Sequence, residues 1–447
     1  MTAHPWKLLI AILFALFAYA GNGCAASPDE EQADRAFIAG RFGEAEQLYA
    51  KVVTKNAKVY PAVLQLGRLA LYSNQLEQAN KWLRDALALN PKSVDAKVMR
   101  AEVAYRNNDF AAAAEILRSL EPKDRFAEMY LSLYLPKLLA FGATKPNQIE
   151  GAGSVTRLPF VRTDPLPLVN VRVNGKDAVF FIDTGGAEVI LDPDFAKELG
   201  IAPEGAVQGT FAAGQGAPVN NARADSIALG DWQVKNLPVQ LLNVRRFSEG
   251  MGVQQIDGCI GTILLSQFLS TIDYAHGELL LRRKTEKNVT RFSSEPGKNV
   301  SMRFWMAGDH FLLARGRVMS QPPAMFFVDT GLAGGGVNLP QSVIKELGIN
   351  LDTRKTMPGT GGGGTFQTVS YTVPQVSLGG LTRKDVPALY DGPVAWDHAW
   401  GFYVGALVGH EFFRPYALTL DFQRMKLILT RFPNSPDVST NAEGAAQ

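Results

Sequence analysis

The chain has 447 residues, 46% of them apolar, and a formal net charge of +2. That is enough apolar material for two or three domains with real cores, and the near-neutral balance gives no electrostatic footprint for nucleic acid or a polyanionic partner. Two cysteines, Cys24 and Cys259, cannot build a disulfide scaffold.

At the N-terminus, Lys7 precedes the apolar run Leu8 to Ala20 and a small-residue exit, GNGCAAS. One positive charge, a short apolar core and small residues read as a secretory signal. A membrane span needs about 20 residues, more than this run offers. Residues 1–26 are therefore expected to be a signal peptide and the mature protein to be exported, periplasmic or extracellular. Cys24 gives the alternative, a lipid or uncleaved anchor, which is the one membrane contact the sequence proposes.

Residues 27–122 are Ala- and Leu-rich and repeat. Phe42, Leu76 and Phe110 stand 34 positions apart, as do Ala45, Ala79 and Ala113. The middle copy also places Leu66-Gly67, Leu83, Ala86 and Pro91 in order. This segment resembles the tetratricopeptide repeats, whose period it shares. Its alternative is a generic array of helical hairpins. Small residues let paired helices approach, and the resemblance implies a face that holds a protein partner or substrate peptide. Residues 123–167 read as a helix over Phe126–Phe141 and a Gly/Pro/Ser-rich connector.

From Leu168 the texture turns to short β-branched or aromatic runs broken by Gly, Pro and Asn. This half is duplicated. FFIDTGG (Phe180 to Gly186) returns as FFVDTGL (Phe326 to Leu332), and LDPDFAKELGI returns as LPQSVIKELGI. GTF at Gly209 and at Gly364, IALG and VSLG, GCIG and ALVG, and TIDYAHGELLL and TLDFQRMKLIL complete six ordered landmarks. Asp183 precedes Gly261 by 78 positions and Asp329 precedes Gly409 by 80. We read two lobes, 168–284 and 309–432, an interlobe linker, 285–308, and a flexible tail, 433–447. A unit used twice can pack about a pseudo-twofold axis, where a feature near the axis meets its own copy. Each acid follows a buried strand, each Thr offers a hydroxyl to the neighbouring loop, and each Gly lets backbone approach a carboxylate.

The two lobes resemble a single-chain aspartic protease of the retropepsin/pepsin type, especially the bacterial retropepsin-like enzymes. The fold class is then multidomain, an all-α repeat region followed by an all-β two-lobed acid-protease domain. The resemblance implies that Asp183 and Asp329 form a catalytic dyad braced by Thr184, Gly185, Thr330 and Gly331. It assigns Ile260-Gly261 and Val408-Gly409 to support of the acid loops, and Phe211 and Phe366 to the flaps over the cleft. Two carboxyls a few Å apart share one proton. They would activate a water against a peptide bond without cofactor or metal, as an aspartic endopeptidase acting on a peptide or protein substrate. The alternative is an inactive peptide-binding module that grips an extended chain by strand addition. One departure is visible: pepsins place Ser or Thr after Asp-Thr-Gly, and this chain has Gly186 and Leu332, which removes a hydrogen bond to an outer carboxylate oxygen. In lobe 1 the stretch from GTF to Leu-Gly is also about six residues longer. Other candidates carry less. His276, His310, His398 and His410 lack metal spacing, Ser266 lacks a nucleophile elbow, and Cys259 reads as a buried small residue.

Overall fold

The structure is a computed structural model and describes residues 27–121, 125–142, 144–285, 287–288, 299–393, 396–398 and 400–432. The expected signal peptide and the C-terminal tail lie outside the described residues. Among the described residues, no helix is long and apolar enough to cross a membrane.

Among the described residues seven helices come first: α1 (Pro28–Ile38), α2 (Phe42–Lys55), α3 (Tyr60–Tyr72), α4 (Leu76–Leu89), α5 (Val94–Arg106), α6 (Phe110–Arg118) and α7 (Arg125–Phe141). The 34-residue period is a helical hairpin period. Phe42, Leu76 and Phe110 each open the second helix of a pair, and Ala45, Ala79 and Ala113 are fully buried one turn later. At the turn inside each pair stand Gly40, Asn74 and Asn108, all with positive φ (68°, 52° and 58°). That is the left-handed conformation Gly and Asn tolerate best. Gly67 is needed for contact: a Cβ there would sit 2.8 Å from the Leu83 side chain.

Lobe 1 contains β1 (Gln148–Glu150), β2 (Val155–Arg162), β3 (Leu168–Val173), β4 (Lys176–Ile182), β5 (Val189–Leu191), β6 (Ala206–Thr210), β7 (Gly216–Leu229), β8 (Trp232–Leu241), β9 (Gly258–Ile260), β10 (Leu269–Asp273) and β11 (Glu278–Arg282). Lobe 2 contains β12 (Asn299–Ala307), β13 (Phe311–Val318), β14 (Ala324–Val328), β15 (Val337–Asn338), β16 (Thr356–Gly361), β17 (Gly364–Leu378), β18 (Leu381–Tyr390), β19 (Val404–Val408), β20 (Tyr416–Asp421) and β21 (Lys426–Arg431). The duplication is visible in the pairing. β4 runs parallel to β9 and β5 antiparallel to it; β14 and β15 pair with β19 in the same two senses. Between the lobes lies a sheet ordered β2-β11-β10-β20-β21-β12. At its centre Thr271 faces Thr419, hydroxyl to hydroxyl at 2.7 Å, where the pseudo-twofold axis passes.

Two stretches differ from the sequence reading. β1 and β2 lie within the segment read as connector, and β12 within the segment read as interlobe linker. β2 and β12 are the outer strands of the interlobe sheet and each continues into its lobe, β2 from β11 to β3 and β12 from β21 to β13. Pro159 lies in the part of β2 that pairs with β11 alone, where a missing N–H is tolerated. The GTF landmark also fails as an equivalence. Gly209-Thr210 end the first strand of a hairpin, whereas Gly364-Thr365-Phe366 begin the second strand of its counterpart. Measured from the tips, β7 and β17 have 14 and 15 residues, so the apparent six-residue excess of lobe 1 disappears.

The helices are docked on the lobes. Phe37, Phe42 and Tyr72 surround Phe402 of lobe 2, with ring centroids 6.0, 4.9 and 6.2 Å away. The three repeat turns also reach the lobes. The Asn74 amide donates to the Phe422 carbonyl (2.9 Å), the Asn108 amide to Gln267 Oε1 (3.0 Å), and Arg315 to the Gly40 carbonyl (3.4 Å).

Candidate active site

Asp183 and Asp329 stand at the ends of β4 and β14. These strands are apolar because they are buried on both faces: Phe180, Ile182, Phe326 and Val328 are at most 1% exposed. Each acid's N–H donates to the strand beside it, Asp183 to the Ile260 carbonyl (3.1 Å) and Asp329 to the Val408 carbonyl (2.9 Å). The next residue must be Gly for space. A Cβ on Gly261 would lie 2.1 Å from the Glu188 carbonyl oxygen, and one on Gly409 would lie 2.5 Å from Leu332 Cβ.

The two loops are then locked by exchange. The Thr184 N–H donates to Thr330 Oγ1 and the Thr330 N–H to Thr184 Oγ1, both at 3.0 Å. The Thr184 hydroxyl donates to the Val328 carbonyl (2.9 Å) and the Thr330 hydroxyl to the Ile182 carbonyl (3.4 Å). Both threonines are fully buried. Such bonds, made without water, fix position strongly. Gly185 and Gly331 each do two things. Their N–H groups donate to Oδ1 of their own lobe's acid (2.7 and 2.9 Å), and their Cα positions face the other acid. A Cβ on Gly185 would be 2.5 Å from Asp329 Oδ1, and one on Gly331 would be 2.4 Å from Asp183 Oδ1. The two carboxyls lie close enough to change one another's proton affinity. Burial raises both above the ordinary carboxylate range, and the charge of Asp183 pushes Asp329 well above it. The pair therefore keeps one proton to higher pH than a lone carboxyl would.

The hairpins β6–β7 and β16–β17 meet at their tips. Gln215 Nε2 donates to the Thr365 carbonyl (2.8 Å), and the Phe211 ring lies so close to Gly362 that a Cβ there would be 2.3 Å away. Phe211 is thus at a tip. Phe366 instead covers Gly359 and Gly361 on its own hairpin. Asp391 Oδ2 accepts from the Ala213 N–H (3.0 Å), while its Oδ1 accepts from Asn338 (3.1 Å). Cys259 is buried, and burial drives its thiol pKa up.

Residues 169–264 and 314–391 match the family model described as Aspartyl protease. The β half is thus similar to the aspartyl protease family over both lobes. Residues 64–128 match the family model described as Tetratricopeptide repeat, so the chain joins repeats to a protease domain. No curated protein matches the chain. Among solved structures, part of the chain is similar to a retropepsin-like aspartic protease from Rickettsia conorii. That match has 18% identity and a TM-score of 0.21, and covers 31% of this chain and 94% of the other.

Several residues of the protease domain escape a reading of motifs. Thr262 donates its hydroxyl to the Thr184 carbonyl (2.8 Å), and lobe 2 has His410 there instead. Glu188, five positions past Asp183, is 1% exposed and paired with Lys137 of α7 at 2.7 Å. Long-range pairs of this kind leave no local spacing to find. Among the described residues, one trio, Asp164, His410 and Glu411, gathers ligand atoms within 4.8 Å. Arg414 already holds that Asp164 carboxylate in two hydrogen bonds, of 2.6 and 2.5 Å.

Proposed function

We propose that the protein is an exported aspartic peptidase that cuts bonds within peptide chains, with Asp183 and Asp329 as the catalytic dyad. The observation that carries this reading is the reciprocal threonine exchange. It holds two half-buried acids against each other although each is charged by preference. The ionised carboxylate takes a proton from a water held between the acids, and the protonated one donates to the scissile carbonyl oxygen. Water adds to the carbonyl carbon, and no acyl-enzyme forms. The amide nitrogen then leaves with a proton, returning the pair to its shared-proton state. Gly185 and Gly331 keep the approach to the acids clear, Gly261 and Gly409 hold the loops from below, and Phe211 covers the cleft from its hairpin tip. The repeats recruit a substrate or partner on the side that the lobes leave free. Export rests on the run from Lys7 to Ala26, and a Cys24 anchor is its variant.

Asp183→Asn and Asp329→Asn are each expected to abolish cleavage of a peptide library while leaving the circular dichroism spectrum unchanged. Undiminished cleavage by either purified variant overturns the assignment. Binding of peptides without cleavage by the wild-type protein at every pH points instead to an inactive peptide-binding module.

A further inference from the structure

The pseudo-twofold axis gives the cleft two ends built from equivalent parts. Each end is framed by the loop four and five positions past an acid, by the residue two positions past the supporting glycine, and by the first turn of the opposite lobe. At one end these are Ala333-Gly334, Glu411 and Asp164-Pro165. At the other they are Ala187-Glu188, Ile263 and Asp309-His310.

The two ends have different fates. Gly334 is exposed, and the Glu411 side chain is 28% exposed. Asp164, Pro165, Glu411 and Arg414 border an open pocket of about 770 Å³. At the other end the helices touch one residue of each part, Glu188, Ile263 and Asp309. Glu188 accepts from Lys137 Nζ and from the Tyr105 hydroxyl of α5. Ile263 is 6% exposed and belongs to one apolar cluster with Phe110, Leu138 and Phe141. Asp309 accepts from the Tyr134 hydroxyl of α7 at 3.2 Å. Lys137 ties the end together, with its ammonium 4.6 Å from the Tyr105 ring centroid and 5.1 Å from that of Tyr134. α7 also packs against β6 and β7, the lobe 1 hairpin that roofs the cleft. Pro136 stands 3.5 Å from where a Cβ on Gly205 would be. α7 therefore occupies the gap between floor, roof and opposite lobe at one end.

We propose that the helical region caps one end of the substrate cleft, so that this protease cuts a fixed short distance from one terminus of an unfolded peptide. The inference rests on the peptidase function proposed above. Glu188 follows Asp183 by five residues, which bounds the capped side at about 17 Å, or about five extended substrate residues. The open side has no such bound.

The test uses the full chain and one peptide of about 20 residues that the wild-type protein cleaves, several times that reach. It is presented with both ends free, with a folded domain fused to either end, and with a folded domain fused to both. The expected result is cleavage of the free peptide and of one single fusion, releasing a fragment of at most about five residues from the free end. The other single fusion and the double fusion are expected to be cut more than about 100-fold more slowly. Affinities for the Asp183→Asn variant are expected to rank the four substrates in the same order, which gives a reading free of turnover. Equal cleavage or equal binding of all four overturns the cap and leaves the peptidase standing. Failure of the wild-type protein to cleave any peptide overturns both.

Discussion

At the scale of single residues, the site depends on where hydroxyls are and are not. The two threonine hydroxyls are committed to bracing the loops, so neither is free to tune the acids. Gly186 leaves room for one that could. A Cβ there would meet Asp183 Oδ2 at 3.9 Å and the Asp183 carbonyl oxygen at 3.6 Å, both ordinary contacts. Gly186→Ser is therefore expected to fit and to donate to the charged carboxylate. A hydrogen bond to the ionised form lowers a carboxyl pKa, and burial has raised this one. The acid limb of kcat/KM against pH should move to lower pH by about one unit, the worth of roughly 1.4 kcal/mol. An unmoved or upward-shifted limb contradicts the geometry. The Asp-Thr-Gly residues were legible because the same three residue types stand in both copies, the Gly for space and the Thr for the bond to its counterpart. Lys137, Tyr105 and Glu188 were not, because each is an ordinary residue in its own segment and acquires its role from a partner 51 or 83 positions away.

At the scale of elements, periodicity was a good guide to helices and a poorer one to hairpin tips. The 34-residue spacing identifies the repeat because buried alanines must recur wherever paired helices touch. GTF misled because Gly and Thr are at home on either side of a tight turn, so matching letters did not mean matching positions. β2 and β12 were hidden for a different reason: outer strands carry only a partial apolar signature. Of the helices, α7 is the one whose role a helical pattern could not convey. Its Lys137 and the Glu188 it faces are 2% and 1% exposed. Removing one member of such a pair leaves a buried charge alone. Lys137→Met is expected to cost about 3–5 kcal/mol in urea unfolding. Lys137→Met combined with Glu188→Gln should recover much of that loss, because the neutral amide still meets the Tyr105 hydroxyl. Equal destabilisation of the single and double variants would show that packing, not charge, holds α7 there.

At the scale of the whole molecule, the repeats and the protease domain share apolar clusters instead of being joined by a free tether. Phe402 of lobe 2 lies fully buried among Phe37, Phe42 and Tyr72. Phe402→Ala should cost about 3–5 kcal/mol and split thermal unfolding into two steps, helices before lobes. A single cooperative transition at the wild-type temperature would show that this contact does not couple them. The overall plan was readable from the sequence, since helical period and strand texture differ sharply on either side of the connector. How the two halves dock was not, because the repeat turns that touch the lobes carry only the Gly and Asn that any such turn requires.

The interlobe sheet has a consequence for how the chain is made. Ser270 of β10 pairs with Leu420 of β20, 150 positions later. At a synthesis rate of about 5–20 residues per second, β10 waits about 8–30 s for its neighbour. During that interval lobe 1 is complete except along one bare strand, whose unpaired N–H and C=O groups will accept any extended chain. Another nascent copy presents the same strand in the same state. The order of synthesis, more than the stability of the finished protein, then decides how many chains pair with the wrong neighbour.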